Sequence, residues 1–266
     1  MKNLRIIALV LSLLMLTVAF SGCQSTPTSD QPSPSPDKTV AENADSKVYV
    51  VGTNAEFPPF EFMNDKGEPD GFDMALIKEC AKIAGIEIKI ENMEFKSLIA
   101  AMETGKVDII ASGMTITDER KGQVDFTDSY YTAVQKIVLR AGDESIKGVE
   151  NLEGKKIGVQ EGTTGDFIAT DDIKNSDVSR FKKGVDAVME LKNKKIDAVL
   201  IDKNPAEEYV KANGDSIYAI DSGCDPENYG FAVKKGNKDL LDKLNAALNV
   251  AKENGTYDAL IKQYIN

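Results

Sequence analysis

The 266-residue chain has no histidine, no tryptophan and only three cysteines. Without histidine, a Ser-His-Asp or Cys-His catalytic apparatus and any His-ligated metal site are excluded. Three cysteines, none in a CxxC pair, exclude a scaffold of disulfides. Positive charge is short as well: 32 Lys and Arg face 43 Asp and Glu, a formal net charge of −11. That is the wrong sign for a chain that must neutralise phosphates, so no nucleic acid partner is expected. Apolar residues at 42% and charged ones at 28% are ordinary for a globular protein, which sets aside a disordered or coiled-coil chain. The length suits one or two domains.

What is present begins with a processing segment. Lys2 and Arg5 precede an apolar run of 15 residues, Ile6 to Phe20, too short to span a bilayer comfortably and suited to a signal peptide over residues 1–22. Phe20-Ser21-Gly22-Cys23 resembles a bacterial lipobox, in which the cysteine is lipidated and becomes the first mature residue; leucine is usual where Phe20 stands, and a plain secretory peptide is the other reading. Both imply export. Loss of residues 1–22 removes two cations and no acid, taking the formal charge to −13. Residues 23–46 carry Pro27, Pro32, Pro34 and Pro36 among Ser, Thr, Asp and Gln. They read as a tether, about 25 to 30 Å long as a coil and roughly 70 Å when extended.

From Lys47 onward, β-rich runs alternate with helical patterns, which predicts an α/β fold with mixed or parallel sheets. Strands are predicted at Val48–Thr53, Ile86–Ile90 and Val107–Ser112, and helices at Asp73–Ala84, closed by Gly85, and Lys96–Glu103. A second such unit follows the apolar stretch Tyr130–Leu139. It has strands at Lys156–Gln160 and Ile196–Ile201, and helices from Thr164, over Val185–Asn193 and over Pro205–Lys211. A strand at Tyr229–Val233 and helices at Lys238–Asn254 and Tyr257–Tyr264 end the chain, and raise the possibility that it returns to its first unit.

Several segments could carry chemistry. Gly113-Met114-Thr115-Ile116-Thr117-Asp118-Glu119-Arg120 follows a buried strand, the place where ligands sit in α/β sheets. The planar fork of Arg120 can hold a carboxylate bidentately; the plainer reading is a helix cap at Thr117 with Arg120 in solvent. Gly158 to Phe167 also runs from a strand into a helix start, which suits an anion or an ordinary capped turn. Asp202 closes the apolar strand and can hold an ammonium group, or cap the helix at Asn204-Pro205. Phe57, Phe60, Phe62 and Phe95 are spare aromatics at loop or strand-end positions, or simply core. Asn64 to Gly71 has the acids of a calcium loop, but Lys66 stands where an oxygen is needed, so a polar hairpin turn is predicted.

Together these segments resemble the polar amino acid binding family, the solute-binding proteins of ABC importers. The resemblance rests on Gly52 to Phe62, Gly71-Phe72-Asp73, Gly113 to Arg120 followed by Asp125-Phe126-Thr127, Gly162-Thr163-Thr164, Asp197-Ala198-Val199 and Glu253 to Tyr257, in that order over Val48 to Asn266. It implies a two-lobed, type II periplasmic-binding-protein-like fold. Lobe 1 would be about 47–129 and 230–266, lobe 2 about 135–224, with hinges near 130–134 and 225–229. It further implies an extracytoplasmic, non-enzymatic and monomeric binder of a free polar amino acid, without cofactor or metal. Its partners would be ABC permease subunits and, in Gram-positive style, the cell membrane through lipid on Cys23.

The resemblance also implies roles. Arg120, with the N–H groups of Thr115 and Thr164, would clamp the ligand α-carboxylate. Asp202, with the Gly113 carbonyl and the Thr115 hydroxyl, would hold the α-ammonium. Phe57 and Phe95 would sandwich the side chain, and Asn54, Gln160 and Thr163 complete the set. Relatives that bind basic or glutamine-like side chains often have aspartate where Asn54 stands, so that contact is neutral here, as is Gln160. Glu56 and Glu161 read as solvent-facing loop acids that could instead compensate. Arginine or glutamine is expected first, lysine or cystine next. Cys80 and Cys224 would lie in different lobes, where a bridge opposes opening, so free thiols are expected. Two alternatives are a cyclohexadienyl or arogenate dehydratase on the same fold, with Glu56, Glu161 or a lysine as proton donor, and a ligand-sensing subunit of a receptor.

Overall fold

The computed structural model describes residues 47–266; the expected signal peptide, Cys23 and the tether lie outside the described residues. β1 (Val48–Thr53) is followed by a small antiparallel sheet of β2 (Glu56–Phe57), β3 (Glu61–Met63) and β4 (Pro69–Asp70). The Asn64 side chain accepts the N–H groups of Lys66 and Glu68 between β3 and β4, giving the polar hairpin turn that the sequence predicts. α1 (Phe72–Ala84) buries Met74, Leu76, Ile77 and Cys80, and ends at Gly85, whose φ of 66° turns its N–H back onto the Ala81 and Lys82 carbonyls. β5 (Glu87–Asn92), α2 (Leu98–Glu103), β6 (Ile109–Ile110), α3 (Asp118–Gln123) and β7 (Val124–Phe126) complete this stretch. β1 is parallel to both β5 and β6, so the loops after β1 and β6 leave the same edge of the sheet.

The chain then crosses through β8 (Tyr131–Ala133) to β9 (Gln135–Arg140). β10 (Lys156–Gln160), α4 (Thr164–Phe167), β11 (Asp177–Phe181), α5 (Gly184–Lys192), β12 (Ala198–Asp202), α6 (Lys203–Asn213) and β13 (Ile217–Asp221) build a second sheet of order β11-β10-β12-β9-β13. β14 (Glu227–Tyr229) comes back antiparallel to β8, and β15 (Ala232–Lys234) inserts between β6 and β7. The first sheet therefore reads β5-β1-β6-β15-β7. α7 (Lys238–Glu253) and α8 (Thr256–Tyr264) pack on α1. The result is an α/β fold of two sheet-containing lobes. Each lobe has its own apolar cluster, around Leu98, Met102 and Ile110 in the first and Ile137, Ile157 and Leu200 in the second.

β12 is buried at every residue, as a strand covered on both faces must be. The edge strands β11 and β13 escaped the sequence reading because each is largely half-exposed and lacks the apolar run that marks an inner strand. The single strand expected at Tyr229–Val233 is two. It breaks at Gly230, whose N–H bonds the Met114 carbonyl at 3.2 Å and where a Cβ would stand 2.9 Å from Ile116 Cδ1. β14 consequently pairs with β8 and β15 with the first sheet. The strand expected over Val107–Ser112 pairs only at Ile109–Ile110. Among the described residues, no helix is long and apolar enough to cross a membrane.

Candidate functional site

Segments at or just beyond the carboxyl ends of β1, β5 and β6 in the first sheet and of β10 and β12 in the second line one recess. Nine of the ten ligand-contact candidates read from the sequence line it: Phe57, Phe95, Gly113, Thr115, Arg120, Gln160, Thr163, Thr164 and Asp202. The tenth, Asn54, joins through Gln160, whose Nε2 donates to Asn54 Oδ1 at 2.8 Å. Ser112, which the sequence reading missed, also lines it.

Thr117 is the N-cap of α3, its side chain accepting the Arg120 N–H at 3.2 Å. Capping does not leave Arg120 in solvent: the residue is only 4% exposed. Its Nη1 donates to the Thr115 carbonyl at 2.8 Å and its Nη2 to the Gly162 carbonyl, from the other lobe, at 2.9 Å. The guanidinium lies over the Phe95 ring and also over Phe167, at 5.5 and 5.9 Å from the centroids. Burial lowers its pKa from the ordinary value, while Glu227 and Asp202 push the other way; a guanidinium stays charged through both.

Asp202 occupies the N-cap position of α6 without capping it. Its Oδ1 instead accepts the Tyr229 hydroxyl at 2.7 Å. Burial, then the charge of Glu227, pushes the Asp202 carboxyl up to about 7, against the pull of the Tyr229 hydrogen bond. Glu227 and Gln135 are the other residues sequence reasoning missed. Glu227 Oε2 accepts from Thr164 Oγ1 at 2.7 Å, Thr115 Oγ1 at 3.2 Å and Gln135 Nε2 at 3.3 Å. Period-two alternation puts Glu227 on the face of Tyr229, a usable signal only once β14 is known to lie between the lobes.

Behind the recess, two fully buried carboxyls hold its floor. Asp73 Oδ2 accepts the Gly113 N–H at 2.8 Å and the Tyr130 hydroxyl at 2.5 Å. Glu61 Oε1 accepts the Ser112 hydroxyl, which in turn accepts the Asn54 N–H. Burial pushes Asp73 up to about 7, and burial and then the charge of Asp73 push Glu61 well above the carboxylate range. Gly113 itself has φ of 47°, and a Cβ there would lie 3.3 Å from the Phe57 ring.

Glu56 and Glu161, expected to face solvent, are partly exposed and do not line the recess, and each has a lysine partner: Glu56 pairs with Lys183 at 2.6 Å and Glu161 with Lys96 at 2.8 Å, and Glu94 pairs with Lys182 at 2.5 Å. All three ion pairs cross the mouth from one lobe to the other. Cys80 and Cys224 are unbonded, and burial pushes the Cys80 thiol up to about 12.

Residues 49–266 match the sequence profile of the bacterial extracellular solute-binding proteins, family 3. The chain belongs to that family. Among relatives of this solute-binding protein, a probable histidine-binding protein of Campylobacter jejuni is 38% identical over 93% of this chain and 95% of its own. The arginine-binding extracellular protein ArtP of Bacillus subtilis is 38% identical over 82% of this chain and 86% of its own. An ancestral arginine-binding protein solved with arginine bound superposes with a TM-score of 0.77 at 42% identity, covering 82% of this chain and 98% of that one. Its family places the protein outside the cytoplasm, and an arginine-binding relative of Escherichia coli and a glutamine-binding relative of Bacillus subtilis are ABC transporter proteins rather than enzymes.

Proposed function

We propose that this solute-binding protein holds one free polar amino acid between its lobes and delivers it to an ABC importer. The observation that carries the reading is that Arg120 and Asp202, opposite in charge and each 4% exposed, face one recess from different lobes without pairing with each other. Arg120 is bonded to two backbone carbonyls and Asp202 to a tyrosine hydroxyl, so neither makes an ion pair. A buried unpaired charge costs several kcal/mol, and a zwitterion supplies the missing partner to both at once. Arg120 and the N–H groups of Thr115 and Thr164 take the α-carboxylate. Asp202, the Gly113 carbonyl and the Thr115 hydroxyl take the α-ammonium. Phe57 and Phe95 flank the side chain, and Asn54, Gln160 and Thr163 meet its polar end.

Arginine or glutamine is the favoured ligand, with lysine or cystine behind; the histidine- and arginine-binding relatives support a nitrogen-rich side chain. Closure hinges at about 130–134 and 225–229, between lobe 1 (47–129 and 230–266) and lobe 2 (135–224), and ligand shifts the population toward the closed form that the permease distinguishes. The protein works as a monomer. Cys23 carries the lipid that anchors it to the membrane, with residues 23–46 as tether. The amino-acid-binding relatives favour this reading over the dehydratase alternative, whose candidate acids Glu56 and Glu161 are paired with lysines at the rim.

Thermal shift against the twenty amino acids, cystine and ornithine, followed by calorimetry, tests the reading. Arg120→Ala and Asp202→Ala are each expected to abolish the shift in a protein that still folds; full binding by either variant refutes it. Release of a Cys23→Ala variant from the membrane fraction is the expected result for the anchor, and undiminished membrane association of that variant counts against it.

A further inference from the structure

We infer that Glu227, on the strand by which the chain returns between the lobes, sets the hydrogen-bond polarity of the cleft by taking the hydroxyl protons of Thr115 and Thr164, so that both oxygens face an α-ammonium as acceptors. The inference rests on the amino-acid-binding reading above and assigns it a positioning residue.

The three donors to Glu227 Oε2 come from three places: Thr115 in the loop after β6, Thr164 in the first turn of α4, and Gln135 at the start of β9. A carboxylate only accepts, so each threonine hydroxyl must spend its single proton on Glu227. Lone pairs are all that remain. Thr164 Oγ1 also accepts from Gln135 Nε2 at 3.3 Å, which leaves it one more site, and Thr115 Oγ1 keeps two. Both threonines line the recess beside Asp202 and Arg120. Hydroxyls held this way match an N–H donor and mismatch a carboxylate oxygen. They therefore join Asp202 at the ammonium end and leave the carboxylate end to Arg120 and backbone N–H groups. Without an acceptor oxygen at Glu227 each hydroxyl is free to rotate and donate, and that discrimination weakens.

β14 thus serves the ammonium end twice. Alternation puts Glu227 and Tyr229 on one face of the strand, Tyr229 bonding Asp202 directly and Glu227 acting through the threonines. Because Thr115 and Thr164 belong to different lobes, the shared oxygen is assembled only when the lobes meet. A ligand that carries the ammonium gains both hydroxyls by closing the cleft.

Calorimetry with arginine and glutamine, each beside its analogue lacking the α-amino group, tests this on the wild type, Glu227→Leu and Thr164→Val. The expected result is that Glu227→Leu, which leaves the hydroxyls no acceptor there, weakens the α-amino acids by about tenfold to hundredfold, the worth of one charge-assisted hydrogen bond, and changes the desamino analogues far less. Thr164→Val, nearly isosteric and without a hydroxyl, is expected to shift the ratio in the same direction. Equal weakening of both ligand types marks Glu227 as merely structural and overturns the inference, as does an unchanged ratio in Thr164→Val. Should the thermal shift select another amino acid, that ligand and its desamino analogue take the place of arginine and glutamine; a wild type that binds none of the twenty amino acids, cystine or ornithine removes the proposed function, and this inference with it.

Discussion

Asp202 is the residue whose protonation the ligand must contend with. Its carboxyl is pushed up to about 7 by burial first and Glu227 second, with the hydrogen bonds of Tyr229 and Gln135 opposing. A raised carboxyl favours the protonated form, so the unliganded fold loses stability as pH rises from the ordinary carboxylate range toward 7; Asp73 and Glu61 act in the same direction. An α-ammonium needs the carboxylate. Affinity is therefore expected to rise as pH increases through about 7 and to level off above it, being roughly thirtyfold weaker at pH 5.5 than at pH 8. Calorimetry in two buffers of different ionisation enthalpy should register close to one proton released near pH 6; no proton release there contradicts it. Arg120 offers a second test, because its fork is bonded to carbonyls of both lobes. Arg120→Lys keeps the charge and loses the geometry, and is expected to weaken ligand by about tenfold to hundredfold.

Elements hold these residues in place. The loop after β6 depends on Gly113, where φ of 47° and the nearby Phe57 ring leave no comfortable position for a Cβ. Gly113→Ala is expected to cost about 1 to 3 kcal/mol in urea unfolding, together with weakened binding; an unchanged midpoint shows that the loop adapts. α7 is anchored by Leu244, fully buried against the first lobe. Leu244→Ala is expected to cost about 2 to 5 kcal/mol while leaving ligand affinity nearly intact. Helices such as α1 and α7 and inner strands such as β10 and β12 were legible because one buried stripe or one continuous apolar run marks them. Edge strands β11 and β13 were not, since half of each faces solvent and any polar-apolar mixture serves.

Across the whole molecule, the cleft is spanned by Asn54–Gln160, Arg120–Gly162 and the three ion pairs of its rim. The rim pairs are solvent-accessible, so salt screens them. Ligand affinity is expected to fall as sodium chloride is raised, and that dependence is expected to shrink in a Lys96→Ala, Lys182→Ala, Lys183→Ala protein; an equal salt slope in both dismisses the rim as part of closure. Titration by calorimetry at several salt concentrations measures it.

The amino-acid sequence by itself determined the α/β class, the two β-rich units, most helix limits and the residues at the ends of β6, β10 and β12, because these follow from local periodicity, capping and the burial of inner strands. Tertiary structure alone decided that β14 and β15 split at Gly230, that Glu56 and Glu161 turn to lysines across the mouth, and that Glu227 reaches Thr115 and Thr164. Each of those facts is a meeting of residues far apart in the chain. What a charged or hydroxyl side chain does is set by the partner that burial leaves it, and that partner is chosen only when the lobes pack.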